Sequence, residues 1–197
     1  MAESLFTQLQ VAAFRKGIQA RTQEAQDWFR DKSKNLTVSR QQLLKDERLT
    51  QRQRPAIGRM YHYFYDPKNR ETLPYYDTFP LILMVGPADN GFYGLNLHYL
   101  HPILRAKFLD KLVDVASNKK FDEKMKLRIS YDMLNSASKL KEFQPCFKHY
   151  LYKHVDSKIA EIHAPEWEIA IFLPTEQFQK RSKTAVWSTS RGQINRG

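Results

Sequence analysis

Three side chains in the C-terminal half of the chain are of types that could bind a metal ion. Cys146, His149 and His154 form the string C-x2-H-x4-H. A structural zinc site needs four ligands, which usually come as two recognisable pairs. The sequence offers neither a fourth ligand nor a second pair beside this string. We therefore expect no metal and no other cofactor, and we expect Cys146 to be a small buried hydrophobic residue.

Acid–base chemistry has few candidates either. His98 and His101 lie in LHYLH, where a continuing strand would point them to different sides, and neither has an evident partner. The sequence contains no GxxxxGK, GxSxG or HExxH motif. The side chains of adjacent acids such as Asp122 and Glu123 point in different directions on any helix or strand, so they make a poor site for two metal ions. We predict no catalytic residue, no enzyme activity and no small-molecule substrate, although a nuclease built from scattered carboxylates stays open.

Basic residues are concentrated at the two ends of the chain. Its 197 residues include 32 Lys and Arg against 21 Asp and Glu, a net charge of +11. Residues 1–54 carry 11 basic against 6 acidic residues, residues 55–179 carry 16 against 15, and residues 180–197 carry 5 against none. Cationic arms neutralise phosphates without needing a matching shape, so the pattern favours sequence-independent DNA binding.

The candidate DNA-binding residues are eight of the cations outside the balanced middle: Arg15, Lys16, Arg21, Lys180, Arg181, Lys183, Arg191 and Arg196. A tail that merely keeps the protein in solution stays open as an alternative. The many tyrosines between Tyr61 and Tyr99 could stack on bases, but packing within a sheet is the favoured interpretation.

The elements that position these cations begin with two or three amphipathic helices in residues 1–54. Thr22 and Ser39 are in the right places to cap the second and third helix. Pro55 disfavours helix at the preceding residue, which predicts a boundary there. The first segment is therefore expected to be a basic helical arm.

A small antiparallel sheet is expected in the middle of the chain, from residue 55 to 179. Met60–Tyr65, Pro80–Val85 and Phe92–Leu100 are rich in strand-forming residues, and Asn90-Gly91 is a strong hairpin signal. Because PLILMV is wholly apolar, either a sheet covered by helices or an SH3-like barrel fits it.

Two helices should flank this sheet, one starting at Pro102 and one over Lys126–Lys141, whereas Phe147–Val155 is ambiguous between helix and strand. Alternating apolar residues from Trp167 to Leu173 predict a further strand. The last 18 residues show no periodicity and contain no acid, which predicts a flexible basic tail over residues 180–197. The fold class is therefore α+β, with an arm, a core and a tail.

Four residue strings of this chain are distinctive: LPYYDTFPLILMV, NGFYGLNLHYLHPILRAKFLD, EWEIAIFLPTEQFQK and KTAVWSTSR. At these strings the chain resembles DNA end protector proteins of T4-like tailed phages. The resemblance spans roughly residues 57–190 and carries over no catalytic residue. It implies a minor virion protein that joins the filled head near its exit and works with other virion proteins. It also implies binding to the terminus of the packaged genome and protection from host exonucleases.

Two rival functions stay open beside this one. The protein could be a purely structural phage neck or baseplate component whose basic ends dock on protein and never touch DNA. It could instead be a metal-dependent nuclease that processes DNA ends. The N-terminus lacks the pattern of a signal peptide, and no segment reaches the roughly 18 apolar residues of a membrane span. We therefore expect synthesis in the host cytoplasm, no membrane partner, and a place in the virion.

Overall fold

The computed structural model describes residues 4–117, 132, 136 and 143–196. These residues form a mixed α+β structure, which confirms the predicted fold class. Its helices are α1 (Leu5–Arg15), α2 (Gln23–Ser33), α3 (Arg40–Leu44), α4 (Pro102–Ser117), the short helix Trp167–Ala170 and the C-terminal helix Lys183–Arg196. Its strands are β1 (Thr50–Arg52), β2 (Met60–His62), β3 (Tyr76–Asp77), β4 (Leu81–Ala88), β5 (Gly91–Asn96), β6 (Phe147–Leu151), β7 (Ile159–Ile162) and β8 (Phe178–Gln179).

Six of these strands form one sheet in the order β1-β7-β2-β4-β5-β6, and every pairing in it is antiparallel. Strands β3 and β8 form a separate two-stranded sheet. The strand order is linear, so the sheet alternative holds and the barrel does not. Strand β4 lies inside the sheet and its first five residues are all buried, which explains its wholly apolar sequence.

The hairpin between β4 and β5 forms where the Asn-Gly signal predicts it. Ala88 pairs with Gly91, so Asp89 and Asn90 make a two-residue turn. Asn90 has φ 57°, a left-handed conformation that asparagine tolerates well. Gly91 is needed for another reason, because a Cβ there would collide with the carbonyl oxygen of Tyr150 on β6.

The N-terminal helices have the predicted caps. Thr22 Oγ1 accepts from the Ala25 N–H at 3.1 Å, and Ser39 Oγ accepts from the Gln42 N–H at 3.4 Å. Phe6, Phe29 and Leu43 lie in the same hydrophobic core as residues of the sheet, so these helices pack directly on the body of the protein.

The segment expected to be helical up to residue 54 ends in a strand. Residues 50–52 form strand β1, which pairs with β7 at the edge of the six-stranded sheet. The boundaries between arm, core and tail, after residues 54 and 179, stay predictions.

The strand predicted from Trp167 to Leu173 is wrong. Trp167–Ala170 is a helical turn, and the residues from Ile169 to Leu173 are all buried. The alternation of residue types in this segment is not matched by an alternation of buried and exposed positions. It therefore does not indicate a strand. Strand β7, Ile159–Ile162, takes the place in the sheet that was assigned to this segment.

The flexible tail is also a wrong expectation, because residues 183–196 form a helix that packs on the body. Val186 and Ser190 are buried one turn apart, and the Trp187 indole N–H donates to the His98 carbonyl at 2.9 Å. The buried face of this helix includes a serine, so its 3.6-residue period does not appear in the hydrophobicity of the sequence.

Helix α4 begins at Pro102 as predicted, and Phe108 and Leu112 face the core. Arg105 of the same helix is wholly buried although its side chain is charged. Apart from Asp132 and Ser136, the helix expected over Lys126–Lys141 lies outside the described residues. Within the ranges that are described, no helix combines the length and apolar character needed to cross a membrane.

Aromatic side chains form a second core on the other side of the sheet. Tyr61, Tyr63 and Tyr150 are buried there and pack against Phe92, with Tyr63 and Tyr150 edge to face at 5.6 Å. These tyrosines therefore pack the sheet, as favoured, and are not available to bases. Cys146 is also buried, and burial raises the pKa of its thiol to about 12.

Candidate nucleic-acid interface

One side of the C-terminal helix carries a ridge of Lys183, Trp187 and Arg191, in which Lys183 is exposed and Trp187 is half-buried. These residues are spaced four apart, so they follow one another along a single helix face. Lys183 Nζ lies 5.7 Å from the centre of the Trp187 ring, a cation–π contact. Arg191 is exposed, and the positive end of the helix dipole lies next to Lys183. The ridge is therefore a positively charged surface with an aromatic ring at its centre.

His101, just before α4, joins this ridge to the N-terminal helices. Its ring meets Trp187 edge to face, with 5.2 Å between ring centres. Burial lowers the pKa of His101, and the positive charge of Arg105 lowers it further. Arg191 and Arg30 also contribute, so cations from both ends of the chain approach one imidazole. Arg30, which pairs with Asp27 at 2.7 Å, is a member of this surface that the sequence did not single out.

A second group of cations lies at the corner between α1 and α2. Arg15, Lys16 and Arg21 are all exposed there. The chain turns at Gly17 with φ 72°, and Arg21 itself has φ 63°. None of the three forms an ion pair within 4.0 Å with any residue that the structure describes. Their charges are available to a phosphate.

Lys180, another predicted residue, contacts the backbone of the protein itself. Its ammonium donates to three backbone carbonyls, those of Arg70 at 2.6 Å, Glu71 at 2.9 Å and Leu73 at 2.9 Å. An ammonium has three N–H donors, so all of them are used. Lys180 therefore holds a loop in place. Arg181 makes contacts within the protein but is still exposed. Its guanidinium lies 5.4 Å from the centre of the Tyr75 ring and donates to Thr189.

Several other cations are neutralised by acids. The ion pairs of the basic residues outside the two groups are Lys34–Asp31, Arg48–Glu166, Arg52–Glu161, Arg59–Glu161, Arg70–Asp66, Arg70–Glu71 and Arg105–Glu176. Other exposed cations in the described ranges, such as Lys68, Lys153 and Lys158, have no ion pair either, so the corner and the ridge stand out because their free cations are grouped. Arg196, the remaining predicted residue, ends the C-terminal helix.

A family model described as Phage T4 terminal DNA protecting protein matches residues 6–192 of this chain. The chain belongs to this family. The match confirms the resemblance seen in the sequence, and the family name places the protein among phage proteins that protect DNA ends. No curated protein and no solved structure matches the chain.

One group in this DNA-protecting protein has the composition of a catalytic triad. His98 Nδ1 lies 2.7 Å from Asp77 Oδ2, and His98 Nε2 lies 3.1 Å from Thr175 Oγ1. All three residues are buried, and His98 is not exposed at all, so no substrate reaches them. Burial alone would raise the pKa of Asp77, but the charge and hydrogen bond of His98 outweigh it and lower that pKa. The triad thus has a structural function.

The sequence had suggested no partner for His98. Asp77 lies 21 residues away on β3 and Thr175 lies 77 residues away, and no local pattern signals such a contact. As for metals, no cluster of three or more His, Cys, Asp or Glu residues suited to an ion occurs among the residues in the described ranges.

Proposed function

We propose that this protein binds the ends of linear phage DNA in the virion without sequence preference and shields them from host exonucleases. The observation that carries the proposal is the exposed, unpaired positive charge at the α1–α2 corner and on the C-terminal ridge. Membership of the DNA-protecting family supports it. The same role includes helping to complete the head and neck together with other virion proteins.

Such a function needs no reacting side chain. Lys and Arg neutralise phosphates at any sequence, and a folded protein held at a DNA end keeps an exonuclease from reaching it. The affinity should therefore fall steeply as the salt concentration rises. Each phosphate contact adds about 0.9 to the slope of log affinity against log salt concentration.

Substitutions test this proposal better than deletion of residues 180–197, because Val186 and Ser190 belong to the buried interior. The test variant replaces Arg15, Lys16 and Arg21 by Gln. The control replaces Lys68, Lys153 and Lys158 by Gln, which removes the same charge from exposed positions in the middle of the chain. Binding of labelled linear duplex DNA is then measured by fluorescence anisotropy across a salt series.

We expect the test variant to bind more weakly and to lose about 0.9 of slope for each phosphate contact removed, whereas the control keeps the wild-type slope. Equal slopes in the two variants would remove the corner from the interface. Wild-type protein without salt-dependent DNA binding would contradict the function itself and favour the rival in which the basic surface docks on protein.

A further inference from the structure

A cavity of about 880 Å³ opens between α1, α2, α4 and the turn before the short helix at Trp167. Phe14, Phe29 and Trp167 are among the apolar side chains that line it. It lies beside the α1–α2 corner, since Arg21 is also part of its lining. Ligand cavities in proteins commonly measure about 300–1,000 Å³ and combine mostly apolar walls with a few polar groups.

The polar groups in this cavity include an unsatisfied one. Glu168 Oε2 accepts from the Arg21 backbone N–H at 3.2 Å, but Glu168 Oε1 is buried without a hydrogen-bond partner. Burial raises the pKa of this carboxyl group. Gln10, Gln19 and Asp110 are also among the residues that line the space. A buried acceptor without a partner is costly, so a ligand that donates to it would be favoured.

The mouth of the cavity is positively charged, in contrast to the unsatisfied acceptor inside. Phe14 lies there with 82% of its surface exposed, the largest exposure of any large hydrophobic residue in the described part of the chain. Arg15 and Lys16 follow it directly, and the unpaired Arg21 is close by. An exposed aromatic ring beside free cations is the combination that binds a nucleotide, because the ring stacks on the base and the cations bind the phosphate.

We propose that this cavity takes the terminal nucleotide of a DNA strand, with the base inside near Glu168 and its phosphate at Arg15, Lys16 and Arg21. The proposal rests on the proposed function and deepens it, because it explains how ends are distinguished. Cations alone bind the middle of a duplex as well as its end. A terminal nucleotide has a stacking neighbour on one side only, whereas an internal one must leave two neighbours before it can enter a pocket.

The exocyclic amino groups of cytosine, adenine and guanine are donors that suit Glu168 Oε1. A basic side chain of a protein partner would also suit this carboxylate, but Arg21 in the lining, and Arg15 and Lys16 next to Phe14 in the chain, would repel it. An occupant that carries a phosphate is attracted by them instead. The charge distribution therefore favours the nucleotide.

The test uses two variants of the whole protein and a matched control. Phe14→Ala removes the exposed ring, and Ala20→Trp fills the cavity from an exposed position in its lining. Ile103→Ala is the control, because it removes another exposed hydrophobic side chain, 43% exposed, outside this cavity. The measured quantity is end preference, the affinity for linear duplex divided by the affinity for circular duplex of the same length and sequence.

We expect both test variants to lose about tenfold in end preference while keeping their affinity for circular DNA, and the control to match wild type. Unchanged end preference in both variants would overturn the inference while leaving DNA binding intact. Wild-type protein that binds no DNA would instead contradict the proposed function.

Crosslinking gives an independent measurement. DNA carrying 5-iododeoxycytidine, which keeps the exocyclic amino group, as its terminal nucleotide should crosslink on irradiation to Phe14 or Trp167, and the same base six nucleotides inside should not. Crosslinks from the terminal base that map only to residues 183–196 would show that the end lies on the ridge and contradict this inference.

Discussion

Arg105 and Glu176 form an ion pair in the interior, with 2.6 Å between Nη2 and Oε1 and side-chain exposures of 0% and 4%. Arg105 also donates to the carbonyls of Leu100 at 2.8 Å and Ile171 at 3.0 Å. Burial by itself would raise the pKa of Glu176, but the charges of Arg105 and His98 lower it to about 2. The pair joins α4 to the segment that leads into the C-terminal helix.

Replacing Arg105 by Met should destabilise the protein by about 3–5 kcal/mol, because Glu176 is left charged and buried without its partner. Urea denaturation gives the free energy of unfolding. The double variant Arg105→Met/Glu176→Gln should recover part of the loss, since its remaining side chain carries no charge. A single variant as stable as wild type, or a double variant that simply adds the two losses, would contradict this account of the pair.

Acid should destabilise the protein through His62. Burial, followed by the charge of His98, lowers the pKa of His62 to about 3 from an ordinary 6.5. Between these two values the unfolded chain binds a proton that the folded protein does not, so stability falls as the pH falls. The slope contributed by His62 is about 1.4 kcal/mol per pH unit.

Thermal unfolding at a series of pH values measures this slope. The variant His62→Phe, whose ring can still pack on Phe79, should lose most of the dependence between pH 6.5 and 4.5 and keep the smaller part from His101, whose pKa is also lowered. Glu176 should keep both proteins acid-sensitive below its ordinary pKa, because its lowered pKa contributes stability that is lost as the pH falls toward about 2. A wild-type Tm that stays flat from pH 6.5 to 4.5 would show that the titration of His62 is not linked to folding.

Two glycines provide a matched test of the packing between β5 and β6. Gly91→Ala should cost about 1–3 kcal/mol or more, because its Cβ meets the backbone oxygen of Tyr150, which has no freedom to rotate away. Gly192 lies within the C-terminal helix with open space around it, so Gly192→Ala should stabilise by about 0.5–1 kcal/mol. Equal effects of the two substitutions on urea denaturation would contradict the strand register.

Lys180 and Arg191 should behave differently although both were candidates for DNA binding. Lys180→Met removes three hydrogen bonds to the loop at residues 70–73, so it should lower Tm and leave DNA affinity unchanged. Arg191→Gln changes an exposed residue of the ridge, so it should leave Tm unchanged and weaken DNA binding. The opposite pattern would reverse the two assignments.

Local signals in the sequence predicted the local structure well. Thr22, Ser39, Pro102 and the Asn90-Gly91 hairpin act through the backbone within a few residues, and each lies where its chemistry requires. The spacing of apolar residues gave wrong predictions in segments where the buried positions do not coincide with the apolar residues. The segment after Trp167 is buried on all sides, and the C-terminal helix buries Ser190 beside Val186.

The residues of the candidate site could largely be predicted from the sequence, but their positions relative to one another could not. Counting charges along the chain identified the corner and most of the ridge, yet nothing local shows that Lys180 is occupied by carbonyls more than 100 residues away. The contact between His101 and Trp187 is equally long-range, and it brings Arg30 into the surface. Such contacts depend on the packing of the whole chain.

The most direct test of the central claim is exonuclease digestion of linear duplex DNA in the presence of the purified protein. Salt is titrated, and an excess of circular duplex DNA is added as competitor. The account predicts protection that survives the circular competitor and fades as salt rises, because binding is directed to ends and acts through phosphates. Digestion at the rate of free DNA at every salt concentration would contradict it.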